Sequence, residues 1–486
     1  MREESYNVNC KKIFLLRGFI MPQGNPLGFA PINQLLRKFC IPTVIMMVVG
    51  SLYNMVDQIF IGQGIGLLGN AATNVAFPIT TVVLAISVML GIGGSANFNL
   101  LSGQKKEEAK KYLGCSFTLQ VVISVVLMLI VLIFLRPILK GFGATESVLP
   151  YAVTYTWITA LGIPLYVISQ SGAHLIRSDG APTFSMACGI TGAILNLILD
   201  PLFIFVFKWG IAGAAWATVI GQVVAGLMVI YYFIRKAHVR LKFRDFVPSA
   251  ERVWKVIYVG MGGLLTEIFI AVTQIIMNNV VRKYGPLSVY GAEIPLAVVG
   301  IITKVNMVYT SIGIGIHQGC QPLFGFNYGA KNYERVKETY KKAALVTILV
   351  GVVFFLVFEL FPRPIISIFG GGSEEYFMFA ERFFRIFLMF TIFNGIPLFT
   401  SGFFTAIRKM FYAVGLPALK QILTFTPLLI FVPMVMGIDG ILVAGPVSDF
   451  IVIVASFICV AMEFKRLDKQ IIERDAEAMK TISGID

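Results

Sequence analysis

Two carboxylates stand where a carboxylate is expensive. Asp57 lies inside the apolar stretch Thr43–Ile61, and Asp200 closes another, Gly192-Ala-Ile-Leu-Asn196-Leu-Ile-Leu-Asp200-Pro201. A charge inside a bilayer costs several kcal/mol, so an acid in an apolar span is a functional-site candidate by default. Asn196 and Asp200 are four residues apart and share one helix face. Pro201 frees a carbonyl of the preceding turn, and Trp216-Ala-Thr218 adds a hydroxyl from the next apolar run. A set of oxygen ligands suits a hard cation such as Na⁺, or a proton shared between carboxyls. On the other reading, these polar groups bond one another and hold helices together.

The elements that must position them are membrane spans. Of 486 residues, 57% are hydrophobic and 14% charged, with a mean hydropathy of +0.81; a soluble domain carries roughly 25% charged residues. About twelve apolar runs of some 20 residues, each able to cross a ~30 Å hydrocarbon core, recur between Leu35 and Glu463. Val121–Leu135 and Ala343–Phe358 are apolar all round, without the polar face of a soluble helix. The chain is expected to be an all-α, multi-pass membrane protein. Lys and Arg total 40 against 26 acids. With twelve spans and both termini on one side, that side holds 31 basic residues, three of them in the loop at Lys409, and the other side holds 6. The excess is therefore positive-inside bias, which places both termini in the cytoplasm of a cell membrane, and not a nucleic-acid surface. Six cysteines without CxxC or other ligand spacing read as packing residues. Residues 1–30 read as a disordered extension, with Met21 as an alternative start and no signal peptide.

The chain also repeats itself. Gly162-Ile-Pro-Leu-Tyr166 recurs as Gly395-Ile-Pro-Leu-Phe399, each after a glycine-rich turn at 141–143 or 370–372. Ser102-Gly-Gln-Lys-Lys-Glu-Glu-Ala-Lys-Lys111 is echoed by Tyr328-Gly-Ala-Lys-Asn-Tyr-Glu-Arg-Val-Lys337, and Ile211-Ala-Gly-Ala-Ala-Trp216 by Ile438-Asp-Gly-Ile-Leu-Val443. Six spans per half is an even number, so the halves run parallel, related by an axis along the membrane normal. The expected organisation is an amino-terminal six-helix lobe at 31–236, a cytoplasmic linker at 237–252, a carboxyl-terminal six-helix lobe at 253–466 and a tail at 467–486. The counterparts of the two acids in the second half are Thr273 or Gln274, and Thr426. The acid pair is one-sided.

Other residues carry weaker signals. Pro42 is either a hinge in the first span or a first-turn proline. Glu267 either faces a substrate cavity or sits hydrated and idle near the cytoplasmic end of its span, and Gln274 and Lys304 are further candidates for the cavity, with Lys304 paired to an acid such as Glu293 or neutralising part of it. Arg382 and Arg385 follow Glu374 and Glu375 and read as local pairs. His174, His238 and His317 lack metal-ligand spacing, and Gly91-Ile-Gly-Gly94 lacks the strand and Lys-Ser/Thr of a phosphate loop. The chain has 41 Phe and 19 Met, suited to flat organic cations.

Pro42, the stretch Tyr53-Asn-Met-Val-Asp57, then Asn196, Asp200-Pro201 and Thr218 together resemble the amino-terminal lobe signature of the multidrug and toxic compound extrusion (MATE) family. Asn25-Pro-Leu-Gly and Gly260–Glu267 resemble its MepA-like bacterial branch. The resemblance runs from about Asn25 to Leu467. It implies a MATE-like fold and a secondary active exporter of amphipathic or cationic drugs, working by alternating access and antiport with H⁺ or Na⁺. It further implies Asp57, Asn196, Asp200 and Thr218 as the coupling-cation site and Pro42 as a bend. No organic cofactor follows from it, and the protein is expected to be a monomer among membrane lipids. In this family Glu267 is shallower than the acid other branches carry, which separates this chain from a carboxyl-terminal ion site. A flippase for lipid-linked oligosaccharide would need a more cationic cavity than Lys304 supplies. An integral membrane transferase or hydrolase would need a motif such as DDxxD or GxSxG, and neither is present, so the chain does not read as an enzyme.

Overall fold

The computed structural model describes residues 25–291, 293–369 and 373–483. The alternative start at Met21 and the glycine turn at 370–372 lie outside the described residues. Within them, eleven helices are long and apolar enough to span a membrane, and a bent pair makes twelve. They are α1 (Ile32–Ile65), α2 (Leu67–Gly103), α3 (Ala109–Ile133), α4 (Leu149–Ser178), α5 (Pro182–Pro201) and α6 (Gly210–Tyr231) in the first lobe. The second lobe holds α7 (Ala250–Tyr284), α8 (Glu293–Gly329), α9 (Tyr333–Leu360), α10, α11 and α12 (Asp439–Ser483). Helix α10 comprises Glu374–Phe387 and Thr391–Ala406, bent by 51°, and α11 comprises Met410–Ala418 and Thr426–Met436 joined by the π-helical turn Leu419–Phe425.

The repeat is written into the backbone. After α2, Lys105 has φ 56°, and after α8, Lys331 has φ 57°. In each, the next residue's N–H reaches back five residues, Lys106 to Leu101 O at 3.1 Å and Asn332 to Asn327 O at 2.8 Å. This is the Schellman end of a helix, here closed twice by a lysine in the left-handed region. The ends of α4 and α10 match likewise, with Gly180 at φ 93° and Arg408 at φ 62°. Each third helix of a lobe is also followed by a seven-residue helix, Leu135–Gly141 and Pro362–Ile368.

Lipid tails are as apolar as leucine, so spanning helices gain little from mere burial and adhere by close packing. The two lobes do so through glycines. A Cβ on Gly103 would lie 2.0 Å from Phe326 O, and one on Gly329 would lie 2.0 Å from Leu100 O. These contacts are reciprocal, because Gly103 to Gly329 and Leu100 to Phe326 are the same step of 226 positions. Gly93 meets Val256 O and Gly260 meets Met89 O, at 1.9 and 2.0 Å, and Gly315 and Gly319 seat against Val44 and Cys40 at 2.5 and 2.7 Å. All these approaches fall in the halves of α1, α2, α7 and α8 nearest the termini. The lobes thus close on the terminal face and leave a cleft toward the opposite face.

A buried polar group crosses the same seam. Arg177 of α4, 1% exposed, donates to Gln318 Oε1 of α8 at 3.0 Å and to Ser185 Oγ at 3.1 Å. Beside it, Cys40 Sγ and Cys320 Sγ lie 3.6 Å apart, one from each lobe.

Four expectations change. Residues 25–30 are no free extension: Pro26–Gly28 forms a 3₁₀ turn capped by Asn25, Asn327 donates to Leu27 O at 3.0 Å, and Arg335 donates to Ala30 O at 2.7 Å. The linker is docked too, for Gly114 packs against Asp245 O and Thr118 donates to Phe246 O at 2.6 Å. Lys420, counted with the loop at Lys409, lies inside α11. Arg382 and Arg385 pair with Asp439 and Glu359 at 3.0 and 3.9 Å, whereas Glu374 is taken by Arg363.

Oxidation with copper–phenanthroline is expected to join Cys40 to Cys320, read as a disulfide-linked peptide by mass spectrometry. Cys40→Ser should abolish the product. A folded protein that yields no such peptide would mean the two thiols do not meet at this seam.

Candidate functional site

The proposed cation ligands come from α1, α5 and α6 and meet toward the open side of the first lobe. Helix α5 turns Asn196 and Asp200 to one face, as their spacing of four requires, and both are buried at 3% and 1% exposure. Asn196 Nδ2 donates to Asp200 Oδ1 and to Thr218 Oγ1 of α6, each at 3.3 Å. Thr218 in turn donates to Ala214 O at 3.0 Å. Asp57 of α1 adjoins Asp200 across the helix boundary. Among the described residues no lysine, arginine or histidine forms a salt bridge with either acid.

Hydrogen-bonding capacity is left unmet here, as it is at other buried polar groups along the chain. Asp57 Oδ1 and Asn196 Oδ1 are buried without a partner. Two carboxylates this close repel unless a proton or a metal cation sits between them. Two orphaned acceptors cost about 1–3 kcal/mol each if left so, and a cation or a hydroxyl proton would satisfy them. Tyr53 and Tyr155 border the same cluster and bring further oxygens. Sequence reasoning missed both, since tyrosines are ordinary in spans; the one available signal was Tyr53 lying one helical turn before Asp57.

The second lobe has no acid pair in these places. Thr426 donates its hydroxyl to Gln421 O at 2.7 Å, and Thr273 donates to Phe269 O of its own helix at 2.8 Å, with Gln421 O 3.4 Å away. That lobe has instead an ion pair absent from the sequence reading, Lys420 Nζ to Asp449 Oδ1 at 2.8 Å.

The cleft wall is marked by residues in register with the inter-lobe contacts. On α7, Gly260 and Gly263 face α2, and Glu267 and Gln274 follow on that face at steps of seven. Glu267 approaches Tyr166 of α4, and Gln274 Nε2 donates to Asn278 Oδ1 at 3.1 Å. On α8, Lys304 stands three turns from Gly315, which touches α1, so it shares the cleft face. It is exposed, and its expected pairing with Glu293 is not formed, because eleven residues of one helix separate the two by ~16 Å. Pro42 lies ten residues into α1, which removes the first-turn reading. It sits beside the Cys40 and Val44 contacts with α8, about four turns from Asp57. His174 packs on Gly91, and His317 on Gly402.

Two six-helix repeats around a cleft open to one face, with polar side chains on its walls, define a membrane transporter. A family model described as MatE matches the chain twice, over residues 42–202 and 264–427. The chain belongs to the MatE family and is not an enzyme. "Multidrug export protein MepA" of Staphylococcus saprophyticus is 26% identical over 428 residues, 87% of this chain and 92% of that protein. The protein of the same name from Staphylococcus aureus strain MSSA476 is 22% identical over 441 residues, covering 90% and 95%. Among solved structures, an outward-facing conformation of a multidrug resistance MATE family transporter of the MOP superfamily superposes with a TM-score of 0.85 at 22% identity, covering 92% of this chain and 99% of that one. A MOP superfamily transporter from Pyrococcus furiosus, described as having a binding pocket of reverse polarity, gives 0.84 at 22% identity with the same coverage.

Asn196→Leu removes the donor that ties α5 to α6. Thermal unfolding in detergent is expected to show a loss of about 1 kcal/mol; an unchanged midpoint would mean the amide does not bridge the two helices.

Proposed function

We propose that this chain is a secondary active multidrug exporter of amphipathic organic cations, driven by antiport with H⁺ or Na⁺. The observation that carries the reading is the acid pair, half-buried Asp57 and buried Asp200, which has no basic partner among the described residues and retains unmet acceptors at Asp57 and Asn196. The relatives named as multidrug export proteins support the substrate class. The positive-inside bias supports a cytoplasmic terminal face, so the conformation described here is the outward-facing one.

In this mechanism Asp57, Asn196, Asp200 and Thr218 take a proton or a Na⁺ ion from outside. Neutralising the pair removes its repulsion and its demand for water, and α1, α5 and α6 then pack more tightly. That tightening favours closure of the outer cleft and parting of the glycine seam below, with Pro42 as the hinge in α1. Glu267 and Gln274 on one wall and Lys304 on the next orient the drug, the carboxylate attracting its cationic centre. The lobes act as bodies divided at the linker 237–252. The protein works as a monomer in the lipid of the cell membrane, without an organic cofactor. A flippase for a pyrophosphate-linked lipid fits less well, since Lys304 is the one basic side chain placed on the cleft face above.

In inverted vesicles, uptake of a fluorescent organic cation is expected when a pH or Na⁺ gradient is imposed separately, and one of the two should suffice. Asp57→Asn should lower gradient-driven uptake by tenfold or more, at least about 1.4 kcal/mol, while the protein remains monodisperse. Undiminished uptake by that variant would sink the coupling role.

A further inference from the structure

The second lobe carries charge in a pattern complementary to the first. Helices α5 and α11 correspond from their starts, Pro182 to Met410, a step of 228; α6 and α12 correspond from Ile211 to Ile438, a step of 227. On these steps, which set Leu428 rather than Thr426 level with Asp200, Lys420 stands where the first lobe has Gly192, and Asp449 where it has Gln222. Thr424 and Ser448 stand where it has Asn196 and Gly221. In the first lobe Gly192 and Gly221 let the two helices touch, a Cβ on Gly221 lying 2.6 Å from Gly192 O. In the second lobe that crossing is opened by the π-helical turn Leu419–Phe425, which makes room for a side chain between the helices.

Lys420 fills that room, and its surroundings are oxygens. Its ammonium lies 2.8 Å from Asp449 Oδ1 and 2.5 Å from Asn394 Oδ1 of α10. Ser448 Oγ and Thr424 Oγ1 share a hydrogen bond at 2.6 Å; each also lies 3.0 Å from the backbone oxygen of Lys420, and Thr424 Oγ1 lies 2.8 Å from Leu419 O. Asp449 is 6% exposed. The other groups facing the pair are Tyr309 of α8, which donates its hydroxyl to Thr391 O at 2.8 Å, and Thr273 of α7, whose hydroxyl lies 3.4 Å from Gln421 O, one residue along. A buried carboxylate and an amide oxygen are the kind of ligands that hold a small hard cation, and here the chain supplies the cation.

We propose that Lys420 is a tethered counter-ion: its ammonium permanently occupies a cation site in the second lobe, and so confines exchangeable cation binding to the acid pair of the first. This rests on the cation-coupling reading of Asp57 and Asp200. A lysine cannot leave, so the second lobe has no reason to respond to the gradient, and the acid-only first lobe does. Remove the ammonium, and Asp449 becomes a buried carboxylate that must recruit a proton or a metal cation.

The test is thermal unfolding of the full-length protein in detergent, with NaCl titrated against choline chloride at fixed ionic strength, and separately from about pH 5 to about pH 9. Asp57→Asn/Asp200→Asn is expected to show a flat midpoint in both series. Adding Lys420→Met should restore a shift of about 2 °C or more in one series, and adding Asp449→Asn to that triple variant should remove it again. Lys420→Arg, which keeps the charge, should stay flat. The proposal is overturned if Lys420→Met in that background folds and stays flat, or if the Asp57→Asn/Asp200→Asn protein keeps a response that Asp449→Asn abolishes. Failure of the underlying reading looks different: the Asp57→Asn/Asp200→Asn protein would respond as wild type does and be indifferent to Asp449→Asn. If Lys420→Met does not fold, Lys420→Gln makes the same comparison while keeping a donor for Asn394.

Discussion

Close backbone contact is the constraint on which this molecule rests. Inside a bilayer, greasy surfaces are no worse off facing lipid than facing each other, and helices hold together where their backbones can nearly touch. The glycines of α2, α7 and α8 that meet the opposite lobe allow this along one seam. Because the contacts gather at the terminal face, the helices diverge above it. The cleft is what remains when two lobes are fastened at one end, and the polar residues of α7 and α8 are exposed as a result.

The same divergence sets the environment of the acids. Asp57 and Asp200 lie in the first lobe and away from the seam, so their setting is decided by α1, α5 and α6 and not by the partner lobe. Internal pairing is exhausted there: Asn196 divides its donors between Asp200 and Thr218, and among the described residues no basic side chain pairs with the carboxylates. Farther down, Arg177 shows the contrary case. A guanidinium held at 1% exposure by neutral partners is an expensive way to seal an interface. It makes the closed seam less stable than an all-apolar one, which suits a joint that has to open.

What could be read from the sequence follows from how isolated each signal is. An aspartate in an apolar run has few explanations, so Asp57 and Asp200 stood out, and the spacing of four placed Asn196 with Asp200 as the helix then showed. The duplication was legible because loops such as 102–111 and 328–337 keep charge and glycine in order; the matching left-handed Lys105 and Lys331 are its structural signature. Lys420 was hidden by lying close to the basic loop at Lys409, since a window of hydropathy does not distinguish a π turn from a helix end. Asp449 was obscured by belonging to a span with other polar residues. Cys40 and Cys320 meet across 280 positions, a distance at which spacing says nothing. Residues 25–30 looked like a tail because their anchors, Asn327 and Arg335, lie in the other half of the chain.

That small anchor alters how α1 must be regarded. The segment before it is strapped to α8 and α9 of the second lobe, while its far end carries Asp57 among α5 and α6 of the first. Helix α1 is therefore a lever with one end in each body. When the lobes rock, either the strap lets go or α1 takes up the difference as bend and twist along its own length. A cation arriving at one end can in this way be felt at the other as strain, with no need for a chain of side chains to pass the message between the lobes.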